Sequence, residues 1–528
     1  MKRILALLLT MALVLGLFSG CGTEEEQAYV PTGDAILLEG QDPEDLLREE
    51  EEEQVMTLAY CPDRSMNPLI GNNHNNRVLF SLMYQGLFAV DAYNNTTPIL
   101  CSAYQVSPDN MKYTFYVDDT ATFSDGTPVT IEDVLASYEA AKTSNYYKGR
   151  FTHILAMSIT EDGGISMILN TGYQNLPILL DIPIVKASEV EADFPLGTGP
   201  YAFSQGVSGA HLTRVVHWWS ETEIPARSRV ISLVEAADDA QVRDEFQFGD
   251  VSLVCTNPLA GNYAEYSCDY ELWDVQNGVF LYLGCNVTYS EFFEDYDLQK
   301  VLTYAIDRNT INEKFYRGNG KVTTIPCSPD SPYYSSTLVM DYRYDPMKFI
   351  DLISDYKIPE NEDGEDLKLR LLVNCDDSSR LRTARYIANT LTEYGLPCGT
   401  LEYSQNTSPT YEEVLRAQNF DLHLGQTKLP PTMDLSEFYR HYGNLNWGGI
   451  TDLTIYETCM ESLADSGNYY NLHKMVADSG KVIPILFGYN AVYARRGMFE
   501  NLSPSRDNAF YYSIGKTMNS IKIATVYD

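Results

Sequence analysis

The side chains whose grouping would indicate catalysis or metal binding are seven histidines, ten cysteines and 73 acidic residues. An enzyme of a common hydrolase or nucleotide-binding class would show H-E-x-x-H, G-x-S-x-G or G-x-x-x-x-G-K-[ST], because each spacing places a metal ligand, a nucleophile or a phosphate cradle. None of these motifs occurs in the sequence. His211 and His217 are six residues apart, a spacing unsuited to a helical metal pair. The sequence therefore predicts a protein that is not an enzyme, with no catalytic residues, no metal site and no cofactor.

The cysteines do not form a metal-binding pattern. Apart from Cys21, they are Cys61, Cys101, Cys255, Cys268, Cys285, Cys327, Cys375, Cys398 and Cys459. No two of them form C-x-x-C, so zinc and iron–sulfur sites lack support. Nine thiols cannot all pair, and the sequence leaves any pairing open. Apolar surroundings, as in residues 251–255, predict buried thiols used as small hydrophobic residues.

The N-terminus has the pattern of a secretory signal. Residues 1–3 are positive, residues 4–18 are apolar except Thr10 and Gly16, and Ser19-Gly20 precede Cys21. The apolar stretch is shorter than the roughly 20 residues that span a membrane. We predict a signal peptide over residues 1–20. The small pair before Cys21 resembles the bacterial lipoprotein box, which implies that Cys21 is lipidated; an incidental cysteine after an ordinary signal peptide is the alternative.

The segment after Cys21 is strongly acidic. Residues 22–54 contain thirteen acidic residues and one basic residue, Arg48. Such a segment repels itself and buries little apolar surface. We predict a disordered tether over residues 21–54 that spaces the folded part from the membrane, with a helix over residues 43–54 as the alternative.

The composition of the remainder indicates a folded protein with more than one core. The chain has 528 residues, 44% of them hydrophobic, and no second apolar stretch of membrane-spanning length. The net charge of −36 argues against nucleic acid and against an anionic membrane surface as direct partners. We expect a monomer.

Local patterns predict interleaved strands and helices. Residues 56–60 and 112–117 have strand composition, and residues 76–88 have apolar residues at helical spacing. Thr130 is expected to cap a helix, with Asp133 completing a capping box. The fold class is therefore mixed α/β.

Four blocks carry a resemblance to a known family. Residues 123–134 read FSDGTPVTIEDV and residues 197–201 read GTGPY. Residues 283–286 (LGCN) precede residues 298–308 (LQKVLTYAIDR), and residues 66–69 (MNPL) precede residues 84–87 (YQGL). In this order the blocks resemble the peptide- and nickel-binding class of ABC-transporter solute-binding proteins, over roughly residues 55–500. Lys300 stands where that family usually has Arg.

The blocks also have structural interpretations. Gly197, Gly199 and Pro200 are expected to fix the crossing between two lobes. Residues 304–306 are expected in the core of a long helix. Asp307 and Arg308 are expected to form a helix cap or an ion pair rather than a ligand contact.

The resemblance implies a periplasmic-binding-protein-like fold with two lobes that close about a hinge. Lobe one would comprise residues 55–275, with an insert subdomain over 69–195, and would be rejoined by residues 483–528. Lobe two would comprise residues 276–482. The crossings would be the strands at residues 279–283 and 481–486.

The resemblance also implies a function: an extracytoplasmic lipoprotein that captures peptides and delivers them to an ABC permease and its ATPase. In peptide-binding relatives an Asp late in lobe two holds the free α-amine, and this Asp is absent at the matching residues 430–432. Asp421 and Asp434 match flanking motif positions, so Asp434 is one candidate substitute. Lys428 would instead favour a carboxylate. A non-peptide solute (a nickel or other metal chelate, a glycan or a modified peptide) is the alternative, and a secreted hydrolase or envelope structural protein is a remote one.

Further candidate ligand contacts are polar or aromatic residues near the implied cleft. The 39 tyrosines suit such a cleft, because tyrosine combines a flat apolar ring with a hydroxyl. The candidates are His74, Asn75, Tyr84, Trp447, Tyr489 and Asn490. For each of them, core or surface packing is the alternative.

Overall fold

A computed structural model describes residues 56–71, 73–207, 209–220, 228–258, 266–499 and 502–510. The predicted signal peptide (1–20), Cys21 and the predicted tether (21–54) lie outside these residues. No helix within the described ranges has the length and apolar character needed to cross a membrane.

The strands of the described residues fall into three sheets. They are β1 Thr57–Tyr60, β2 Phe88–Val90, β3 Thr96–Pro98, β4 Cys101–Val106, β5 Lys112–Val117, β6 Ile154–Ile159, β7 Ile165–Leu169, β8 Tyr201–Gly206, β9 Gly209–Arg214, β10 Val230–Glu235, β11 Leu253–Thr256, β12 Tyr270–Cys285, β13 Gly320–Val322, β14 Leu369–Asn374, β15 Cys398–Tyr403, β16 Leu422–Lys428 and β17 Val482–Arg495.

Helices are interleaved with these strands. The α-helices are α1 His74–Met83, α2 Ile131–Thr143, α3 Asp239–Phe248, α4 Leu298–Val301, α5 Arg308–Tyr316, α6 Ser336–Asp341, α7 Pro346–Leu352, α8 Ser378–Glu393, α9 Tyr411–Ala417, α10 Ser436–Tyr439, α11 Leu453–Ala464 and α12 Tyr469–Ser479. Short 3-10 turns cover Lys148–Phe151, Leu176–Leu179, Ala187–Glu189, Glu291–Phe293, Leu302–Ala305 and Ser466–Asn468.

A large mixed sheet organises the described part of the chain. Its order is β15-β14-β16-β12-β17-β11-β1-β10-β9-β8, and β13 pairs with β17. The parallel pairs are β1 with β10 and β11, and β14 with β15 and β16. A separate antiparallel sheet of order β4-β5-β7-β6 lies within residues 101–169. Mixed α/β architecture is therefore confirmed.

Two long antiparallel strands, β12 and β17, run through the centre of the large sheet. They pair from Tyr270 with Arg495 to Gly284 with Val482, with a register shift between Gln276 and Phe280. The predicted crossing segments at residues 279–283 and 481–486 lie largely within these two strands.

The buried apolar residues form separate clusters on either side of these strands. One large cluster draws mostly on residues 56–275 and on residues 492–510. Two others draw on residues 280–489. β12 and β17 therefore run without interruption between apolar cores that pack separately.

The structure confirms two predictions from local sequence patterns, the capped helix α2 and the strand β5. β5 has the predicted bounds. The Thr130 hydroxyl accepts from the Asp133 N–H at 3.4 Å, and the Asp133 carboxylate accepts from the Thr130 N–H at 2.8 Å, which is a capping box. α2 begins directly after this box.

The long helix expected around residues 304–306 is wrong. The chain forms short α4, a 3-10 turn and then α5. Asp307 begins α5 as its cap, since its carboxylate accepts from the Thr310 N–H at 3.0 Å. Arg308 is buried and donates to the carbonyl oxygens of Thr303, Ile306 and Pro484. The helix cap at Asp307 was expected. The helix is interrupted before Asp307, and the buried guanidinium of Arg308 donates to carbonyl oxygens that a continuous helix would pair with its own N–H groups.

The glycines of GTGPY, which were expected to fix a crossing between lobes, pack against the end of α1. Gly199 donates its N–H to the carbonyl of Met83 at 2.9 Å, and a Cβ at Gly197 or Gly199 would collide with the end of α1. These glycines permit close packing of α1 against the chain that enters β8.

The nine described cysteines are free thiols. Cys61, Cys101, Cys285, Cys327 and Cys459 are buried, and the other four are partly buried. This agrees with the expectation of thiols used mainly as small hydrophobic residues.

Candidate ligand-binding site

A cavity of about 790 Å³ lies between the end of α2 with its following turn and the segment from the end of β16 to residue 445. This is within the size range of small-molecule sites, about 300–1,000 Å³. We call it the main cavity. Its lining comprises residues 142, 145, 146, 148–152, 427–431, 434, 437, 440, 444, 445 and 506.

The charge of the main cavity is opposite to that of the chain. Its basic lining residues are Lys142, Lys148, Arg150, Lys428, Arg440 and Arg506. Its acidic lining residues are Asp434 and Glu437, and both are already paired, Glu437 with Arg440 at 2.8 Å and Asp434 with His153 at 2.8 Å. The chain as a whole has 73 acidic and 37 basic residues. A cavity of this composition suits an anionic ligand.

Four cations surround one carboxylate beside the main cavity. We call this set the cationic wall: Arg77, Arg150, Lys428 and Arg506. The carboxylate is Asp507, which follows β17 in the C-terminal part of the described chain.

Asp507 bonds directly to several members of the wall. Its oxygens lie 2.6 Å from Arg150 Nη2 and 3.0 Å from Lys428 Nζ, and the Tyr146 hydroxyl donates to it at 2.5 Å. Its side chain is only 9% exposed. Burial raises the pKa of Asp507, but Lys428, Arg150 and Arg506 outweigh this and hold the pKa well below its usual range. Asp507 is therefore ionised.

Lys428 reaches the cavity because it ends β16, where it pairs in register with Val279 of β12. Its ammonium lies 4.2 Å from the ring centroid of Tyr146, a cation–π contact. Its side chain is one third exposed, and Lys428 lines the main cavity. Desolvation, only partly offset by Asp507, lowers the pKa of Lys428 to about 7, and the neighbouring guanidinium groups of Arg506 and Arg150 contribute to the lowering.

Arg506 is the least satisfied member of the wall. It is 7% exposed and its Nη2 donates to the Leu429 carbonyl. Its Nε and Nη1 have no hydrogen-bond partner among the described residues. Nε also lies 3.8 Å from an Asp507 oxygen, an ion pair too long for a hydrogen bond. Because buried donors without hydrogen-bond partners are unfavourable, Nε and Nη1 favour a ligand that supplies acceptors.

A second buried carboxylate, Asp434, makes a one-to-one pair. His153 Nε2 contacts Asp434 Oδ2 at 2.8 Å, and both side chains are 7% exposed. His153 Nδ1 lies 3.0 Å from Asn170 Oδ1, and Asp434 also accepts from the Ser436 N–H at 2.8 Å. Burial lowers the pKa of His153, but Asp434 outweighs it and the net shift is upward; the pKa of Asp434 is lowered mainly by His153, against burial.

Three of the predicted ligand contacts meet at a smaller cavity of about 170 Å³. His74, Lys428 and Asn490 line it, together with Asp507. Lys428 also lines the main cavity, as does Asp434. Tyr146, Lys428 and Arg506 form the partition that the two cavities share.

The other predicted contacts lie elsewhere. Asn75 is buried and donates to Asp239 at 3.1 Å. The Tyr84 hydroxyl donates to the Pro195 carbonyl at 2.9 Å, and the Tyr489 hydroxyl donates to Asp330 at 2.5 Å. Trp447 lines a separate cavity of about 300 Å³ beside β16. Ligand roles for the eight predicted residues remain predictions.

Sequence reasoning missed Tyr146, Arg150, His153, Arg506 and Asp507. They lie in two segments more than 350 residues apart, neither of which contains a recognisable motif. The only signal was compositional: residues 142–150 carry three basic residues and no acidic residue in a chain dominated by carboxylates. Among the described residues, no group of three or more His, Cys, Asp or Glu side chains is placed to hold a metal ion.

Comparison with known proteins identifies the family. The sequence profile of the bacterial extracellular solute-binding proteins, family 5 (middle region), matches residues 95–449, more than half of the chain. The protein belongs to this family. Family 5 proteins bind solutes without catalysis, so the expectation that the chain is not an enzyme is confirmed.

Curated relatives of this family 5 protein are distant. Heme-binding protein A of Haemophilus influenzae is 23% identical over 349 residues, 58% of this chain and 62% of that protein. The oligopeptide-binding protein AppA of Bacillus subtilis is 22% identical over 360 residues, 63% of this chain and 66% of AppA. The matched part thus spans less than two thirds of either relative.

Solved structures share the fold of the family 5 protein. NikA from Brucella suis, in complex with Fe(III)-EDTA, superposes with a TM-score of 0.67 at 16% identity, covering 88% of this chain and 99% of NikA. The expected architecture, that of a large solute-binding protein, is confirmed by this match.

Proposed function

We propose that the protein is the extracytoplasmic solute-binding component of an ABC importer. We propose further that it captures a small solute by binding the carboxylate groups of that solute. The observation that carries the proposal is the main cavity, whose lining has six basic and two acidic residues in a chain of net charge −36. A basic cleft in an acidic protein attracts anions selectively and disfavours cations.

Two classes of solute supply this chemistry: a short peptide rich in carboxylates, and a metal chelate held by a carboxylate ligand. AppA is an oligopeptide-binding protein by name, and the NikA structure contains Fe(III)-EDTA. Both classes present carboxylates that Arg150 and Lys428 are able to bind through charge-assisted hydrogen bonds.

The environment of Asp434 argues against recognition of a free α-amine. His153 already pairs with this carboxylate, and Ser436 donates its N–H to one carboxylate oxygen and its hydroxyl to the other. An amine would have to displace an internal cation. Recognition through Lys428, Arg150 and Arg506 therefore suits the carboxylates of a peptide better than its N-terminus.

We propose that closure of two lobes completes the site. Lobe one comprises residues 55–275, with the insert 69–195, and residues 483–528; lobe two comprises residues 276–482. The separate apolar clusters on either side of β12 and β17 support this division. The main cavity lies between the insert and lobe two, so closure would bury an occupant from both sides.

The partners follow from the same proposal. Cys21 carries the lipid anchor, residues 21–54 tether the domain, and a monomer delivers solute to a permease with its ATPase. These assignments rest on the sequence patterns and on membership of an extracellular binding-protein family.

The test is isothermal titration calorimetry on the full-length protein with triglutamate, Fe(III)-EDTA and trilysine at low ionic strength. We expect binding of at least one anionic probe and none of trilysine. Triglutamate binding would assign the peptide class and Fe(III)-EDTA binding the chelate class. Binding of trilysine, or of no probe, would contradict the proposal.

Matched variants connect binding to the cavity. Lys428→Met removes a cation from the cavity wall, whereas Lys474→Met removes an exposed cation from α12. Loss of affinity in both variants alike would mean that net charge, rather than the cavity, controls binding.

A further inference from the structure

The cationic wall carries more positive charge than its internal carboxylates neutralise. Within the described residues, the carboxylates in contact with it are Asp507 and Asp181, the latter paired with Arg150. When Lys428 is protonated, below its pKa of about 7, four cations face two carboxylates and leave a net charge of two positive units. Arg506 shows the consequence, because its Nε and Nη1 have no hydrogen-bond partner within the described part of the chain, and Nε has only a 3.8 Å ion pair with Asp507.

Asp507 and a ligand in the main cavity would use the same cations. Lys428 and Arg150 line the main cavity, whereas Asp507 lies on the other side of them, in the wall of the 170 Å³ cavity. Lys428 gives one ammonium hydrogen bond to Asp507, and Arg150 gives Nη2 to it. A ligand carboxylate would therefore share these groups with a fixed negative charge a short distance behind them.

We propose that Asp507 is a specificity-determining residue, an internal carboxylate that competes with the ligand for Lys428 and Arg150 and so sets the affinity and charge preference of the cleft. The inference rests on the proposed function. Asp507 orders the two cations, since they would otherwise repel each other, and it weakens their attraction for each ligand carboxylate. The weakening increases with the ligand's charge, so Asp507 disfavours the most highly charged anions.

The effect is testable with Asp507→Asn, which keeps the side-chain shape and removes the charge. Citrate and succinate are the probes, measured by titration calorimetry at low ionic strength and at pH 6.5, below the pKa of about 7 of Lys428, so that its ammonium is present. We expect the variant to bind citrate at least tenfold more tightly than the unmodified protein, with a smaller gain for succinate. Asp507→Glu is expected to restore the original ranking of the two anions.

Asp193→Asn is the matched control, because Asp193 is exposed and lies outside both cavities. The same change in net charge there should leave both affinities unaltered. If the unmodified protein binds the anions but Asp507→Asn shows no gain over this control, the Asp507 inference is overturned while the proposed function stands. If neither protein binds citrate, succinate or the acidic probes above, the proposed function is overturned and this inference with it.

A second measurement covers the case in which Asp507→Asn does not fold. Hydrogen exchange of the unmodified protein, followed by mass spectrometry, would compare residues 505–510 with and without citrate. Competition predicts faster exchange in this segment when citrate is bound, because the ligand takes over contacts that hold Asp507. A carboxylate with a purely structural role predicts unchanged or slower exchange, and that result would overturn the inference.

Discussion

The two buried carboxylates near the main cavity connect the same regions of the chain in different ways. Asp434 joins residues 427–445 to residues 142–153 through His153, one anion to one cation. Asp507 joins Lys428 to Arg150 and Tyr146, within a set of four cations. The first arrangement is electrically complete, whereas the second is not. The difference teaches that a buried one-to-one ion pair indicates a structural link between two parts of the chain. An excess of positive charge beside a cavity indicates instead a site for an anionic ligand.

Removal of Asp434 should have the largest effect on this comparison, because it should lower the stability of the protein. Asp434→Ala leaves His153 buried without its partner, and we expect a loss of about 3 kcal/mol in the free energy of unfolding. Urea denaturation measures this, with Asp193→Ala as the exposed control. A loss below about 1 kcal/mol would show that the pair is not an important link between the two regions.

The next largest effect should appear in ligand binding rather than stability. Lys428→Met removes one cation from the wall, and we expect about tenfold weaker binding of an anionic solute, or ~1.4 kcal/mol. The pKa of Lys428, about 7, adds a pH signature: affinity in the unmodified protein should fall as pH rises through 7 and the ammonium is lost. Titration calorimetry at pH 6 and 8 should show a smaller change in the variant.

The His153–Asp434 pair should respond to pH in stability. The pKa of His153 is raised on folding, so its contribution is fully present below the unfolded value of about 6.5 and is lost as pH rises through the folded value. Comparison with His153→Asn by urea denaturation should show a stability difference that is largest below about 6.5 and shrinks as pH rises through the folded pKa of His153. Asp434 has a lowered pKa, so its contribution is present above about 3.9 and is lost as pH falls towards the folded value. A difference independent of pH would mean that the pair is held by hydrogen bonds between neutral groups.

The smallest effect is expected at the rim of the main cavity. Lys148 is exposed, and Lys148→Gln should change anion affinity by only a few tenths of a kcal/mol while reducing the salt dependence of association. Stopped-flow binding at two ionic strengths measures both quantities. A loss as large as that of Lys428→Met would place the ligand at the rim instead of at the wall.

The sequence predicted structure best where the determining groups are close in the chain. Thr130 and Asp133 form a capping box across three residues, and the residue types are sufficient to indicate it. The family motifs extended this to the overall architecture. They also drew attention to Lys428 and Asp434, both of which line the main cavity.

Failures of sequence reasoning have a common physical cause in long-range contacts. The apolar pattern through residues 304–306 favours one helix, yet Arg308 bonds to Pro484, 176 residues away, and the helix breaks. Asp507 acquires its role only because folding brings Arg150, 357 residues earlier, against it. No local pattern encodes such pairs. The charge of the cavity was likewise hidden, because its basic residues come from separated segments of an acidic chain.

Burial of the thiols has a consequence for covalent chemistry. Burial raises the pKa of seven of the nine described cysteines: Cys61, Cys101, Cys255, Cys285, Cys327, Cys398 and Cys459. Since the thiolate is the reactive form, these seven are slow towards oxidants and alkylating reagents. The remaining two, Cys268 and Cys375, are partly exposed. Within the described residues they are two sites for fluorophore or spin-label attachment, one on each side of the central strand pair. The distance between the two sides, with and without a solute, thus becomes measurable without introducing a new residue.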